Sequence, residues 1–185
     1  MAWSDARVLD VGCGSGGGWD YLFKLGVSPQ RLVGLDLQLD RLQRAAQIFP
    51  TAGKILADAS KIPFPSGIFD VVTEFTMFMT LSDRDLRVRI AKEMVRACKC
   101  GGYLVLSDWR IQPPFSQLYR ALSISELKHL FLVDGRCKIM AVVRGALAPP
   151  LGRFIARHAK PFYFLTDAIL PALAGHAVYI LQRQG

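Results

Sequence analysis

Near the amino terminus, Asp10-Val11-Gly12-Cys13-Gly14-Ser15-Gly16 sets an acidic residue before three glycines at alternate positions. Glycines let the backbone turn sharply and approach a ligand with no Cβ in the way, and a helix that follows presents unpaired N–H groups to anionic atoms. Such a loop suits a ligand end that offers a carboxylate to those donors and an ammonium to an acceptor such as Asp10. About twenty residues on, Asp36, followed by Leu37, ends an apolar run, where its carboxylate can accept both hydroxyls of a ribose. Asp58-Ala59 ends the next run, where a carboxylate can accept from an adenine amino group. One ligand needs all three places at a single sheet edge.

The elements that must supply that edge are legible as alternating patterns. Strand-like runs occupy Arg7–Val11, Arg31–Asp36, Gly53–Asp58, Phe69–Glu74, Gly102–Asp108 and Lys138–Val143, with Ala177–Leu181 at the end. Alternation of β and α segments predicts an α/β fold, a parallel sheet with helices on both faces. A first helix should run from Gly17 to Leu25 and stop at Gly26, a C′ glycine. Between Asp83 and Cys98, Leu86, Ile90, Met94 and Ala97 recur at helical spacing, and Arg84, Arg87, Lys92 and Arg96 are expected on the solvated side. A further helix, Ser123 to Val133, opens with Ser123-Ile124-Ser125-Glu126, a capping-box pattern. The apolar stretch 161–182 is interrupted by Asp167, Pro171, Gly175 and His176, which predicts an amphipathic helix before a buried last strand rather than a membrane span.

The 185 residues have the size of one domain, 1–185, and a composition 51% hydrophobic and 21% charged excludes a disordered chain. The formal charge of +8 is uneven: residues 1–100 carry 13 Lys and Arg against 11 Asp and Glu, and residues 101–185 carry 10 against 4. The carboxyl-terminal half therefore favours anionic partners. Cys13, Cys98, Cys100 and Cys137 suit neither a zinc site nor a disulfide framework, so no metal is expected and reduced thiols point to the cytoplasm. No basic segment followed by an apolar run opens the chain, so no signal peptide is expected.

Val8 to Gly16, then Gly34-Leu35-Asp36, then Ala57-Asp58-Ala59 through Pro63-Phe64-Pro65 to Val72, resembles the S-adenosylmethionine-dependent methyltransferases of the ubiquinone/menaquinone-biosynthesis type (methyltransferase type 11). Arg96 to Asp108 is similar to that family's turn and fifth strand. The resemblance implies a class I, doubly wound Rossmann-like sheet of seven strands with an antiparallel last strand. It implies S-adenosylmethionine as cofactor, with Asp10, Gly12, Cys13, Gly14 and Gly16 on the methionine half, Asp36 and Leu37 at the ribose, and Asp58 and Ala59 at the adenine. Glu74, at the end of the fourth strand, joins the cofactor set and, with Asp108, is a candidate general base.

Three departures stand out. The family's helical cover before the first strand has no counterpart here, which implies an open site or a truncated chain. Met79 and Thr80 stand where many members have His, and the segment Gly145–Gly175 is larger than the family minimum and is expected to shape the acceptor site. The glycine loop also satisfies the dinucleotide pattern, so an NAD-binding oxidoreductase is an alternative, as is a non-catalytic S-adenosylmethionine-binding subunit. Gln112-Pro113-Pro114-Phe115 follows the wrong strand for an adenine N6-methyltransferase, and His129, His158 and His176 read as isolated structural or solvated residues. Arg153, Arg157 and Lys160 lie among Phe154, Phe162, Tyr163 and Phe164, which suits peripheral contact with an anionic membrane. The expected acceptor is a small, lipid-linked or anionic molecule and not a nucleic acid.

Overall fold

In the computed structural model, which describes residues 2–112, 119–147 and 174–185, seven strands form one sheet. They are β1 (Val8–Val11), β2 (Leu32–Asp36), β3 (Gly53–Leu56), β4 (Phe69–Phe75), β5 (Cys98–Trp109), β6 (Cys137–Leu147) and β7 (Ala174–Arg183). The order is β3-β2-β1-β4-β5-β7-β6, with β7 antiparallel to both its neighbours and every other pairing parallel. β1 lies inside the sheet between β2 and β4, and all four of its side chains are buried. A strand covered on both faces reads as a near-continuous apolar run rather than an alternating one, here broken only by the buried Asp10.

Alternate residues of β1 face different cores. Leu9 and Val11 pack with Val72, Leu104, Ile90, Met94 and Leu127, whereas Val8 packs with Leu32, Val71, Trp19, Leu22 and Leu42. Helices α3 (Arg84–Ala97) and α4 (Ile124–Phe131) thus cover one face, and α1 (Trp19–Lys24) and α2 (Leu39–Ile48) cover the other. The anticipated stop of α1 is a Schellman turn: Gly26 has φ +98°, its N–H reaches Phe23 O, and Val27 N reaches Leu22 O. Asp83 caps α3 by accepting from Asp85 N and Leu86 N.

The structure corrects several local expectations. α2 falls in a stretch given no helix from sequence; its N-cap, Gln38, makes no side-chain cap bond, so no start signal marks it. β3 ends at Leu56, and Asp58 instead caps a short 3-10 turn. Only half of the capping box forms: Ser123 Oγ accepts from Glu126 N, but the Glu126 carboxylate turns to Arg87 (3.1 Å) and Arg120 (3.6 Å). Arg87 is fully buried rather than solvated. Its Nη1 donates to Phe78 O, Leu81 O and Arg120 O, so the guanidinium ties the turn after β4 to the entry of α4. The expected helix within 161–173 and the residues Arg153, Phe154, Arg157, His158, Lys160, Phe162, Tyr163 and Phe164 lie outside the described residues, as does Pro113-Pro114-Phe115.

Candidate functional site

A cavity of 640 Å³ opens at the carboxyl ends of β1, β2 and β4, within the size range of small-molecule sites. The loop after β1 forms its floor. Gly12, Gly14 and Gly16 all have positive φ (68°, 54° and 82°), a region that a Cβ disfavours. A Cβ on Gly12 would also lie 2.6 Å from Met77 Sδ, whereas one on Gly14 would meet nothing closer than Arg41 at 3.8 Å. Gly14 therefore presents bare backbone to the cavity, with only the Arg41 side chain at van der Waals distance.

Asp36 fastens this loop. Its Oδ2 accepts from Gly14 N and its Oδ1 from Gln38 N, both at 2.8 Å, so one carboxylate joins the glycine loop to the entry of α2. Asp36 lines the cavity together with Gly12, Cys13, Gly14, Leu37, Asp58 and Ala59. The Asp58 carboxyl is held below its usual range by the N–H of Ser60.

Asp10, Gly16, Glu74 and Asp108 are not brought to the cavity wall. Asp10 is buried, with Oδ2 accepting from Trp19 Nε1 and Oδ1 from Thr73 Oγ1, both at 2.8 Å. Burial raises its carboxyl from 3.8 to about 7, against those two hydrogen bonds. Gly16 sits against the Phe49 and Trp19 rings. Glu74 and Asp108 are both fully buried: Glu74 Oε2 accepts from Met77 N, and Asp108 Oδ2 from Met79 N, each at 2.9 Å. They hold the turn that follows β4. Burial lifts both carboxyls, Glu74 well above its usual range with Asp108 adding repulsion, and Asp108 to about 6.

That turn begins with Thr76, a β-branched residue at φ +61° whose N–H is fixed on Ser107 O at 2.8 Å. Strain of this kind persists only where the surroundings enforce it, and it lies here on the cavity wall beside Met77. Beyond, the cavity continues past Thr80, Leu81 and Ile90 to Ser107 and His176. Sequence reasoning missed these last two. His176 stands opposite Trp109 across the antiparallel β5–β7 pair, with ring centroids 5.2 Å apart, and burial lowers its pKa, favouring the neutral imidazole. Only the insertion of β7 between β5 and β6 brings it there, and no local signal announces that.

The strand order, the reversed β7 and the glycine loop after β1 define the Rossmann-like fold of class I, S-adenosylmethionine-dependent methyltransferases. The chain belongs to the methyltransferase domain family, whose pattern matches residues 9–106. Among curated proteins, the fatty-acid O-methyltransferase of Mycolicibacterium smegmatis is 31% identical over 178 residues, covering 90% of this chain and 56% of that protein. The ubiquinone/menaquinone biosynthesis C-methyltransferase of Neisseria meningitidis is 29% identical over 130 residues, covering 70% of this chain and 42% of that one. The chain thus spans about half the length of these curated relatives. A crystal structure of a SAM-dependent methyltransferase from Methanosarcina mazei shares the fold, with a TM-score of 0.69 at 20% identity over 98% of this chain and 93% of that one.

The residues present fit the cofactor. A backbone cradle free of side chains at Gly14, a carboxylate at the end of β2 and another after β3 line one cavity. The dinucleotide reading gives way to this family membership.

Proposed function

We propose that this chain binds S-adenosylmethionine at the carboxyl edge of its sheet and transfers the methyl group to a small acceptor with a lipid-like or anionic part. The observation that carries the reading is the single cavity that runs from the glycine loop, past Asp36 and Asp58, to Ser107 and His176. The cofactor supplies an electrophilic methyl group, so the protein has chiefly to align the acceptor and exclude water. Gly12, Cys13 and Gly14 take the methionine half, Asp36 and Leu37 the ribose, and Asp58 with Ala59 the adenine. Asp10 acts from behind the wall by holding Trp19, and Glu74 and Asp108 act by holding the turn at Met77 and Met79.

For a hydroxyl acceptor the proton has to leave, and His176, which lines the cavity and is favoured neutral by burial, is the group to receive it. Lipid-like acceptors are supported by the names of relatives, a fatty-acid O-methyltransferase and a 2-methyl-6-phytyl-1,4-hydroquinone methyltransferase. Peripheral contact with an anionic membrane rests on sequence alone, the seven Lys and Arg against one Asp in residues 136–183.

Calorimetric titration with S-adenosylmethionine, followed by transfer of labelled methyl into a panel of fatty acids, quinols and hydroxylated lipids, tests the proposal. Saturable cofactor binding with label in a lipid acceptor is expected. Preference for NADH, or label entering only RNA or DNA, would overturn it.

A further inference from the structure

The end of the cavity at Ser107 and His176 is built on one face of the β5–β7 pair. Side chains alternate along a strand, so Ser107 and Trp109 share a face of β5, and Ser107 lines the cavity. His176 of β7 also lines it and stands directly opposite Trp109 in the antiparallel register. Residues so opposed bring their Cβ atoms within about 5.5 Å of each other. The two rings meet there, with centroids 5.2 Å apart and planes tilted by 64°, an arrangement in which aromatic pairs attract.

Trp109 is itself fixed through its backbone. Its N–H donates to Asp108 Oδ1 at 2.6 Å, and its carbonyl accepts from Leu122 N at 2.7 Å. The other oxygen of Asp108, Oδ2, accepts from Met79 N at 2.9 Å, so one buried carboxylate joins Trp109 to the turn that carries Thr80 and Leu81 along the cavity wall. Leu122 O accepts in turn from Tyr179 Oη at 2.8 Å, which ties the entry of α4 to β7. Arg110 N donates to Gly175 O at 2.9 Å, closing the strand pair beside the two rings. The indole therefore stands on backbone held from the turn after β4, from α4 and from β7.

From this arrangement we infer that Trp109 is a positioning residue: its indole sets the orientation of the His176 imidazole at the cavity and keeps water from it. The inference rests on the reading of His176 as the group that receives the acceptor's proton. An imidazole turns between broad χ2 wells unless something packs against it, and a proton acceptor works only within hydrogen-bond reach of the proton it takes. A flat ring alongside limits that rotation. By displacing water it also disfavours the charged imidazolium, the same sense in which burial moves His176. The titratable and charged groups on the strands around the pair are Arg110, next to Trp109, and Arg144 of β6, opposite Ala177, with Glu74, Asp108 and Tyr179 on the other face of the sheet. All of these remain in the Trp109 variants below, so a change at His176 reads the indole.

The test is a nuclear magnetic resonance titration of the full chain with carbon-labelled histidine, the His176 signal being assigned by its loss in His176→Gln. In wild type the imidazole is expected to be ordered, with a high order parameter, and to titrate below its ordinary pKa. Trp109→Leu, which opens space beside the ring, should lower the order parameter and raise the midpoint toward the ordinary value. Trp109→Phe, which keeps a flat ring, should preserve both, and the amide spectrum of each variant reports that the sheet is intact. A wild-type imidazole that is mobile, or that titrates at or above its ordinary pKa, overturns the inference even if Trp109→Leu fails to fold. So does a folded Trp109→Leu with unchanged order and midpoint. These readouts need neither cofactor nor acceptor. Unimpaired methyl transfer to a hydroxylated acceptor by His176→Gln would count instead against His176 as the recipient of the proton.

Discussion

Asp36 offers the sharpest test of the cofactor site, because its carboxylate has two separable duties. It accepts from Gly14 N and Gln38 N, each at 2.8 Å. In the cofactor site proposed above, its remaining lone pairs would take the ribose hydroxyls. Hydrogen bonds to a charged group contribute about 1.5–3 kcal/mol, so Asp36→Ala should weaken S-adenosylhomocysteine binding by about tenfold to about 150-fold. Loss of the loop anchors should also cost about 1–3 kcal/mol of stability, read from the urea midpoint, since Gly14 is partly exposed and water replaces some of what is removed. Asp36→Asn keeps one acceptor oxygen and should recover part of both losses. To separate direct contact from loop placement, affinity is measured calorimetrically for S-adenosylhomocysteine and for its 2′-deoxy analogue, in wild type and in Asp36→Ala. If the carboxylate touches the ribose, the substitution should hurt the deoxy compound much less, a coupling that a purely structural role does not produce. Equal losses for the two ligands would refute the ribose contact, and unchanged affinity for both in a folded variant would remove Asp36 from the site.

Two further outcomes follow from the buried charges. Asp10 titrates at about 7 in the folded chain against 3.8 when unburied, so the native state holds the proton more tightly and stability falls as pH rises from about 4 to 7. Asp10→Asn, whose amide can donate to Thr73 Oγ1 while its oxygen accepts from Trp19, should flatten that fall, in the limit by about 4 kcal/mol at about 1.36 kcal/mol per unit; urea midpoints at pH 5 and pH 8 that move equally in both proteins would contradict it. Arg87→Met should destabilise by about 3–5 kcal/mol, because it strands the carbonyls of Phe78, Leu81 and Arg120 and leaves Glu126 with one partner, and a loss under about 1 kcal/mol in denaturant titration would show that the guanidinium is dispensable.

Where the sequence reading succeeded, the signal was local. The runs at Val8, Leu32 and Val71 are apolar because a central strand is covered on both faces, and Gly26 marks the end of α1 because only a glycine enters the left-handed turn easily. Cavity-lining places were legible for Gly12, Gly14, Asp36 and Asp58 because backbone turns and strand ends have residue signatures. The misses are long-range. Arg87 looks solvated by its charge, yet it shares the helical spacing of Ile90, Ala91 and Met94, and its partners are mostly backbone carbonyls that leave no mark on the sequence. Glu74 and Asp108 stand at the right strand ends for an acceptor-facing base, but both are buried, and the turn after β4 claims one oxygen of each, Glu74 Oε2 for Met77 N and Asp108 Oδ2 for Met79 N. His176 reaches the cavity through a strand pairing 67 positions away, from Trp109, that follows from topology and not from composition.

The strand order also divides labour along the gene. Groups proposed to grip the cofactor come from the chain up to Met77, whereas Ser107, Trp109 and His176 come from later residues. Because β7 lies between β5 and the edge strand β6, neither β5 nor β7 can be exchanged alone without disturbing two strand pairings. A chimera that joins the first four strands of one relative to the last three of another, spliced in the turn after β4, should therefore keep its cofactor affinity and inherit its acceptor from the second parent. Diversification of such a chain would proceed by replacing its second half as a block, with the nucleotide-handling half left in place.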